Sequence, residues 1–124
     1  MIYGIGTDLI EVSRVEKQLD KDQGFKERVY TPVEIEYCDP KRHHPQHYAA
    51  RFAAKEAFMK ALGTGWQEGV SFHEIEVITS PNGKPELKLY GKTAEIAAAR
   101  NITSMFVSLS HLTSFAMAIV ILEQ

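Results

Sequence analysis

A carboxylate and an ammonium group lie one helical turn apart in the segment RFAAKEAFMKALGTG, residues 51–65. Glu56 and Lys60 are four residues apart, so in a helix their side chains share one face. A second carboxylate, Asp8, ends the apolar opening run MIYGIGTD, where a strand would hold it rigidly. Mg²⁺ is usually held by one or two carboxylates plus substrate phosphates, and a lysine neutralises further phosphate oxygens. The three residues are therefore candidates for a magnesium and phosphate site.

The same residues have a second explanation that spacing alone leaves open. A glutamate four residues before a lysine is a common surface pair, which stabilises a helix by about 0.3–0.5 kcal/mol. An aspartate after a strand is usually a turn or cap residue. The rest of the chain has to distinguish the two interpretations.

Composition restricts the class of protein. The chain has 124 residues, of which 44% are hydrophobic and 24% charged, so we expect one globular domain over residues 1–124. A formal net charge of -2 gives no reason to expect nucleic acid or an anionic membrane as partner. Cys38 is the single cysteine, which excludes an intrachain disulfide. We find no secretory signal and no apolar run of about 18 residues, and we expect a soluble cytoplasmic protein.

Hydrophobic periodicity and turn residues predict an α+β fold. We expect a strand over 2–7, helices over 13–19, 31–37, 46–63 and 94–100, and hairpins over 75–89 and 105–122. Ser13 with Glu16 and Thr31 with Glu34 have the spacing of capping boxes at helix starts. Strands and helices do not alternate regularly, which favours an antiparallel sheet packed on the long central helix.

The long helix over 46–63 has two different faces at 100° per residue. One face is expected to pack in the core: Ala50, Ala54, Ala57, Phe58, Ala61 and Leu62. The other carries Phe52, Glu56, Met59, Lys60 and Gly63. Apolar neighbours around Glu56 indicate a cleft or a subunit interface, although two partly exposed hydrophobic residues would also explain them.

Four segments, in this order and at these separations, closely resemble the holo-[acyl-carrier-protein] synthase family of short, prokaryotic-type 4′-phosphopantetheinyl transferases. They are GIGTDLIEVSRV, RFAAKEAFMKALGTG, NGKPELKL and VSLSHLTSFAMAIVILE. The resemblance spans nearly the whole chain except residues 38–47. It implies the 4′-phosphopantetheinyl transferase fold and transfer of the 4′-phosphopantetheine arm of coenzyme A to a serine of apo acyl carrier protein. Adenosine 3′,5′-bisphosphate would be released, in fatty acid biosynthesis.

The resemblance also implies roles for individual residues. Asp8 and Glu56 would hold Mg²⁺, and Lys60 would contact phosphate oxygens and assist the leaving group. The nucleotide would be lined by Arg51, Gly63, Pro85 and His111. Asp8 or a water molecule on the metal would take the serine proton, and the sequence leaves this choice open. Leu112 stands where the family commonly has a small hydroxyl residue, which puts a phosphate contact at that position in doubt.

A mildly basic region near the first predicted helix is, by the same resemblance, the docking surface for acyl carrier protein. Its residues are Arg14, Lys17, Gln18, Lys21, Phe25 and Arg28. Five acidic residues are interleaved with them: Glu11, Glu16, Asp20, Asp22 and Glu27. A solvated surface is the plain alternative for such a region. Relatives of this size assemble as trimers with the active site between chains, so the resemblance implies a homotrimer.

Other functions remain possible from the residues alone. A noncatalytic carrier-protein binding module would need the docking region only, and a magnesium-dependent phosphohydrolase would use the same carboxylates without a carrier protein. We expect His43, His44 and His47 to be exposed loop residues and not metal ligands. Ser108, Ser110 and His111 lack the surroundings of a serine hydrolase site. We assign no site role to Trp66 or Tyr90.

Overall fold

The computed structural model describes residues 1–21 and 23–124, and these residues form an α+β fold. The strands are β1 (Ile2–Glu11), β2 (Ile75–Thr79), β3 (Pro85–Leu89), β4 (Ser104–His111) and β5 (Phe115–Glu123). The helices are α1 (Val12–Lys21), α2 (Phe25–Val29), α3 (Pro32–Cys38), α4 (His44–Leu62) and α5 (Gly91–Ala99), with 3-10 turns at Trp66–Glu68 and Phe72–Glu74. The predicted fold class is confirmed. Asp22, one of the acidic residues of the predicted docking region, lies outside the described residues.

The strands pair in two antiparallel sheets and not in one continuous sheet. β5 lies between β1 and β4, with Asp8 opposite Ala118 and His111 opposite Ala116. β2 and β3 form a separate hairpin, with Val77 opposite Leu87. Both predicted hairpins are present. β5 pairs with both β1 and β4, so the first strand of the chain lies beside the last hairpin.

Helix α4 is the centre of the core, and it packs on β1 and β5. All six residues predicted for its core face are buried, so that assignment is confirmed. Met59, predicted for the opposite face, is also buried, as is Lys55. Most of the circumference of α4 is therefore buried, because other elements cover the side of the helix that faces away from the sheet. Within residues 1–21 and 23–124, no helix combines the length and apolar character needed to cross a bilayer.

Two glycines let β1 lie directly against the backbone of α4. A Cβ atom on Gly4 would overlap the carbonyl oxygen of Ala61, and one on Gly6 would overlap that of Ala57. Glycines inside a strand are typical of a close approach by another backbone or a ligand, and here the approaching group is the α4 backbone. Asp8 follows on the same side of the strand, because alternate residues of a strand face the same way. The glycines thus bring the Asp8 carboxylate to the surface of α4.

The junction between β1 and α1 differs from the prediction. β1 continues to Glu11, so Asp8 lies inside the strand and not at its end. α1 begins at Val12, so the predicted capping box that starts at Ser13 is wrong. The backbone N–H of Val12 instead donates to the carbonyl oxygen of Ser114, 2.9 Å away, in the β4–β5 turn. A tertiary contact therefore satisfies the helix start that a local side chain was expected to cap.

The start of α4 also differs from the prediction. His44 and His47 lie on the helix and not in a loop. Pro45 is compatible with this because it stands in the first turn, where the N–H that proline lacks would have no acceptor within the helix. The end of α4 at Gly63 is confirmed, with a left-handed φ of 82°. Helix α2 and both 3-10 turns were not predicted, since each is too short to show a period.

The capping box of α3 is confirmed and continues into a buried ion pair. Thr31 Oγ1 accepts from the Glu34 N–H at 3.3 Å, and Glu34 Oε1 accepts from the Thr31 N–H at 2.9 Å. Lys55 Nζ donates to the same Oε1 at 2.7 Å and to the carbonyl oxygen of Phe72 at 2.9 Å. Both charged side chains are fully buried. Lys55 also donates to the carbonyl oxygen of Ile75, so this pair connects α3 and the start of β2 to α4, and no local pattern predicts it.

Candidate active site

Asp8, Glu56 and Lys60 come together where β1 crosses α4. Lys60 Nζ donates to Asp8 Oδ1 at 3.2 Å and to the Thr7 carbonyl oxygen at 2.9 Å. The Asp8 side chain is 16% exposed and that of Lys60 is 56% exposed. The carboxylate is therefore sheltered while the ammonium group remains open to a ligand.

The electrostatics of Glu56 show that its carboxylate belongs to the same cluster. Burial raises the pKa of Glu56 above 4.5, the nearby negative charge of Asp8 raises it further, and Lys60 lowers it. A half-buried carboxylate beside a second carboxylate is a costly arrangement without a cation. The two carboxylates therefore create a region of negative charge that favours binding of a cation.

A cavity of about 400 Å³ opens beside Glu56 and Lys60 at the carboxyl end of α4. Gly63 and the loop after it complete the lining, together with Trp66 and Met59. Gly63 leaves open space where a Cβ would stand, and its left-handed φ is the conformation that glycine adopts without strain. We call this space the carboxylate cavity.

Arg51, Pro85 and His111 line a different cavity, of about 490 Å³, which we call the basic cavity. Its lining also includes Lys84 and His47 but no carboxylate. Such a set of cations and imidazoles around one space suits a multiply charged anion.

Arg51 is built into the wall of the basic cavity. It is 3% exposed, its guanidinium group lies 4.1 Å from the ring centroid of Tyr37, and one terminal nitrogen donates to Thr79 Oγ1 at 3.0 Å. Arg51 Nε is buried without a hydrogen-bond acceptor among the described residues. A ligand oxygen would satisfy this donor.

Two histidines face each other at the same cavity. The rings of His47 and His111 have centroids 5.0 Å apart, and His111 Nδ1 lies 2.9 Å from Gln46 Oε1. Burial, with the nearby His111 and Arg51, lowers the pKa of His47 to about 4. His47 is half-buried, so the expectation of an exposed loop histidine is wrong for this residue.

The two cavities lie on different sides of α4. Arg51 and Lys60 are nine residues apart, which at 100° per residue places them about 180° apart around the helix. Of the residues predicted to line the nucleotide, only Gly63 lies with Glu56 and Lys60 in the carboxylate cavity. One chain therefore does not bring all the predicted site residues together.

A groove of about 380 Å³ contains most of the predicted docking residues. Arg14, Lys17, Gln18, Lys21 and Phe25 line it together with Ile10 and Phe52. Phe52 precedes Glu56 by one turn of α4, so the groove leads towards the carboxylates. Arg28 is not part of the groove. It donates to the Gln23 carbonyl oxygen at 2.7 Å and lines another cavity.

Several residues that line these cavities were not predicted from the sequence. Lys84 stands in the quoted segment NGKPELKL, and its place in a turn beside Pro85 was the available signal. His47 was assigned to an exposed loop, so its place in the wall of the basic cavity was not predicted. Trp66, which lines the carboxylate cavity, gave no signal because a lone aromatic residue has no pattern.

Comparisons with known proteins agree over the whole chain. A family model for the 4′-phosphopantetheinyl transferase superfamily matches residues 4–120. The holo-[acyl-carrier-protein] synthase of Geobacter sp. (strain M21) is 49% identical over 125 residues, which cover 100% of both chains. The crystal structure of holo-[acyl-carrier-protein] synthase from Neisseria meningitidis superposes with a TM-score of 0.91 at 35% identity and 100% coverage of both chains. That of Helicobacter pylori in complex with coenzyme A gives 0.84 at 35% identity, covering 96% of this chain and 99% of the other. The chain belongs to the 4′-phosphopantetheinyl transferase superfamily.

Proposed function

We propose that this protein is an enzyme that transfers the 4′-phosphopantetheine group of coenzyme A to a serine of apo acyl carrier protein. The observation that carries the proposal is the meeting of Asp8, Glu56 and Lys60, in a chain 49% identical to a holo-[acyl-carrier-protein] synthase. A similar structure binds coenzyme A. The products are the holo carrier protein and adenosine 3′,5′-bisphosphate.

The basic cavity suits the nucleotide end of coenzyme A. The adenosine bisphosphate carries several negative charges, and Arg51 and Lys84 face it without a competing carboxylate in the lining. The buried Nε of Arg51 needs an acceptor, which a phosphate oxygen provides. His111 and Pro85 complete this side, as the family resemblance implies. Arg51 and Lys84 would also supply phosphate contacts in place of the side-chain hydroxyl that Leu112 lacks.

Asp8 and Glu56, of which Glu56 lines the carboxylate cavity, form a donor set that fits Mg²⁺. Two carboxylates and the phosphates of the substrate are the ligands that this ion commonly takes in proteins. Asp8 and Glu56 would hold it, and a cation there would offset the burial and the negative charge of Asp8 that raise the pKa of Glu56. When bound, the ion would neutralise the pyrophosphate and stabilise charge on the leaving oxygen.

The residues of the chain have separate tasks in the reaction. The serine oxygen bonds to the β-phosphorus while the bond from that phosphorus to the bridging oxygen breaks, and the bisphosphate keeps the electron pair. Lys60, open to the cavity, binds phosphate oxygens as this charge develops. Asp8, which Lys60 orients, is the acceptor within this chain for the serine proton, a role worth about 10²–10⁴ in rate.

We propose that the active site is completed between chains of a homotrimer. The carboxylate cavity and the basic cavity face away from each other within one chain, so one coenzyme A molecule would bridge neighbouring copies. The outer face of the three-stranded sheet is apolar and exposed, including Ile5 (56%), Leu9 (67%) and Phe106 (49%). A contiguous exposed apolar surface of this kind is typical of subunit interfaces.

The groove beside α1 is the proposed docking surface for acyl carrier protein. Arg14, Lys17 and Lys21 supply positive charge, and Phe25 and Phe52 supply an apolar floor. Complementary charge increases the rate of encounter more than it increases affinity. The groove ends near Glu56, which would place the acceptor serine beside the carboxylates.

The proposed setting is fatty acid biosynthesis in the cytoplasm. Acyl carrier protein holds the growing chain of that pathway on its phosphopantetheine arm, and the free thiol of Cys38 suits a reducing compartment. We propose that residues 1–124 act as a single domain, because α4 contacts elements from both halves of the chain.

One assay tests the function. The protein is incubated with coenzyme A, Mg²⁺ and apo acyl carrier protein, and intact masses are recorded. We expect the carrier protein to gain the mass of the phosphopantetheine arm, with matching release of adenosine 3′,5′-bisphosphate. Consumption of coenzyme A without this mass gain would indicate a phosphohydrolase. Complex formation with no consumption would indicate a noncatalytic binding module.

A further inference from the structure

Arg100 directs its charge at the end of a helix and not at a carboxylate. Its Nη1 atom donates to the carbonyl oxygen of Leu62, the last residue of α4, at 2.7 Å. Within residues 1–21 and 23–124, Arg100 forms no salt bridge. It follows α5 and does not line the carboxylate cavity, the basic cavity or the docking groove. Any effect of its charge on the site is therefore indirect.

The guanidinium group of Arg100 is fixed from several sides. The backbone N–H of Arg100 donates to the carbonyl oxygen of Ala97 at 3.1 Å, and its own carbonyl oxygen accepts from Gln124 Nε2 at 3.0 Å. The Leu62 carbonyl oxygen also accepts from the hydroxyl group of Tyr3 on β1, at 3.3 Å. These contacts join the end of α5 and the start of β1 to the end of α4. They hold the half-buried Arg100 side chain in place before any ligand binds.

The carboxyl end of α4 is by itself an unfavourable place for an anion. The aligned peptide dipoles of a helix amount to about half a negative charge at this end, and the last carbonyl groups have no acceptor role within the helix. Glu56 and Glu68 line the carboxylate cavity at the same end, where Lys60 supplies positive charge. A pyrophosphate beside these groups therefore requires further positive charge to offset them.

The charge of Arg100 extends to the wall of the carboxylate cavity. Glu68 Oε2 accepts from the Gly65 N–H at 3.0 Å, and this hydrogen bond lowers the pKa of Glu68 below its ordinary 4.5. The positive charge of Arg100 contributes to the same lowering. Both Gly65 and Glu68 line the cavity. Arg100 is therefore close enough to change the potential there, and a cation at a helix C-terminus also opposes the helix dipole.

We propose that Arg100 is a positioning residue that makes the carboxyl end of α4 compatible with a pyrophosphate, because it binds the Leu62 carbonyl group and offsets its negative charge. This inference rests on the proposed function, which places the pyrophosphate of coenzyme A beside Glu56 and Lys60. Arg100 lies outside the cavity, so it acts on the affinity for the anion. The step in which bonds form and break belongs to the residues of the active site.

Three substitutions separate the charge of Arg100 from its hydrogen bond. Arg100→Met keeps the aliphatic stem and removes both. It is expected to raise KM for coenzyme A about fivefold and to change kcat less than about twofold, with the same loss in Kd measured by calorimetry. Arg100→Lys keeps the charge and should recover most of the affinity. Tyr3→Phe removes the other hydrogen bond to Leu62 without a change in charge, so Kd should change less than about twofold.

Lys88→Met is the matched control, because it removes the same charge from an exposed position on β3 that lines neither the carboxylate cavity nor the basic cavity. Its Kd for coenzyme A should equal that of the wild type. Added salt should reduce the difference between Arg100→Met and the wild type, since salt screens charges. A merely structural role would instead lower the melting temperature and kcat together, and the lysine variant would not recover affinity.

The role of Arg100 and the proposed function fail in different ways. If the wild type modifies the carrier protein and Arg100→Met binds coenzyme A as tightly as the wild type, the role of Arg100 alone is rejected. Equal losses in Arg100→Lys and Arg100→Met would reject it as well. If Arg100→Met weakens coenzyme A binding as expected and the wild type modifies no carrier protein, the role of Arg100 stands and the proposed function is rejected. A wild type that does not bind coenzyme A would reject both.

Discussion

Lys60 Nζ lies 3.2 Å from Asp8 Oδ1, although 52 positions separate the two residues in the sequence. The same ammonium group donates to the Thr7 carbonyl oxygen, so it is attached to β1 by both backbone and side chain. Lys60 thus connects the strand that holds one carboxylate to the helix that holds the other.

Glu56→Gln is expected to reduce transfer by on the order of 10²-fold or more, because it removes one of the two proposed metal ligands. The same substitution should raise the melting temperature at neutral pH, since burial and Asp8 both disfavour the charge of Glu56. Because the folded-state pKa is raised, this gain is absent in acid, where Glu56 is protonated, and develops as the pH rises through that pKa. Thermal unfolding from pH 4 to 8 measures it.

Glu95→Gln on α5 is the matched control for Glu56→Gln, since Glu95 is exposed and lines neither the carboxylate cavity, the basic cavity nor the docking groove. Its activity and melting temperature should equal those of the wild type. Full activity of Glu56→Gln in magnesium buffer would reject the proposed metal site.

Gly6→Ala is expected to destabilise the protein by about 1–3 kcal/mol or more, because the new methyl group overlaps the Ala57 carbonyl oxygen and pushes β1 away from α4. Activity should fall further than stability, because Asp8 moves with the strand. Denaturant unfolding and transfer rates test both effects. Gly65→Ala adds a methyl group into open space and should leave the free energy of unfolding almost unchanged. Equal stabilities of the two variants would contradict the close packing.

Lys55→Met is expected to cost about 3–5 kcal/mol of folding free energy, because Glu34 would remain buried without its cation. The double variant Lys55→Met with Glu34→Gln should recover part of this loss, since the buried charge is then removed as well. Urea denaturation of both variants gives the comparison. A double variant less stable than Lys55→Met alone would contradict this account.

His47 is expected to make stability depend on pH in a defined window. Its folded-state pKa of about 4 lies below the ordinary 6.5, so the folded state resists protonation. The contribution to stability is complete above about pH 6.5 and is lost as the pH falls towards 4, by about 1 kcal/mol after solvent screening. His47→Gln should flatten the curve of melting temperature against pH in this window. An unchanged slope would show that His47 is not the group responsible.

Charge reversal in the docking groove is expected to slow the encounter with acyl carrier protein. Lys17→Glu and Lys21→Glu should each raise KM for the carrier protein about 3- to 10-fold with little change in kcat, and added salt should reduce the difference. Lys88→Glu on β3 changes net charge equally but lies outside the groove, so its KM should change little. Equal effects of all three variants would indicate bulk charge and not a docking surface.

Local patterns in the sequence were sufficient to predict most helices and strands. The period of 3.6 identified the core face of α4, and Thr31, Pro32 and Glu34 identified the start of α3, because these signals depend only on residues within one or two turns. The glycines of β1 indicated a close approach by another backbone or by a ligand, and the structure shows that it is the backbone of α4. Motif order also indicated the family that the comparisons confirm.

Only the tertiary structure decided which residues meet. It paired Lys55 with Glu34 in the core, ended β1 at Glu11, and used the β4–β5 turn to satisfy the start of α1. It also separated the predicted nucleotide residues into two cavities, of which only one contains Glu56. Contacts between residues distant in the chain depend on how elements pack, and a local periodicity carries no information about that packing. The sequence therefore indicated Asp8, Glu56 and Lys60 as candidate reacting groups, and the packing of β1 on α4 determined that they lie together.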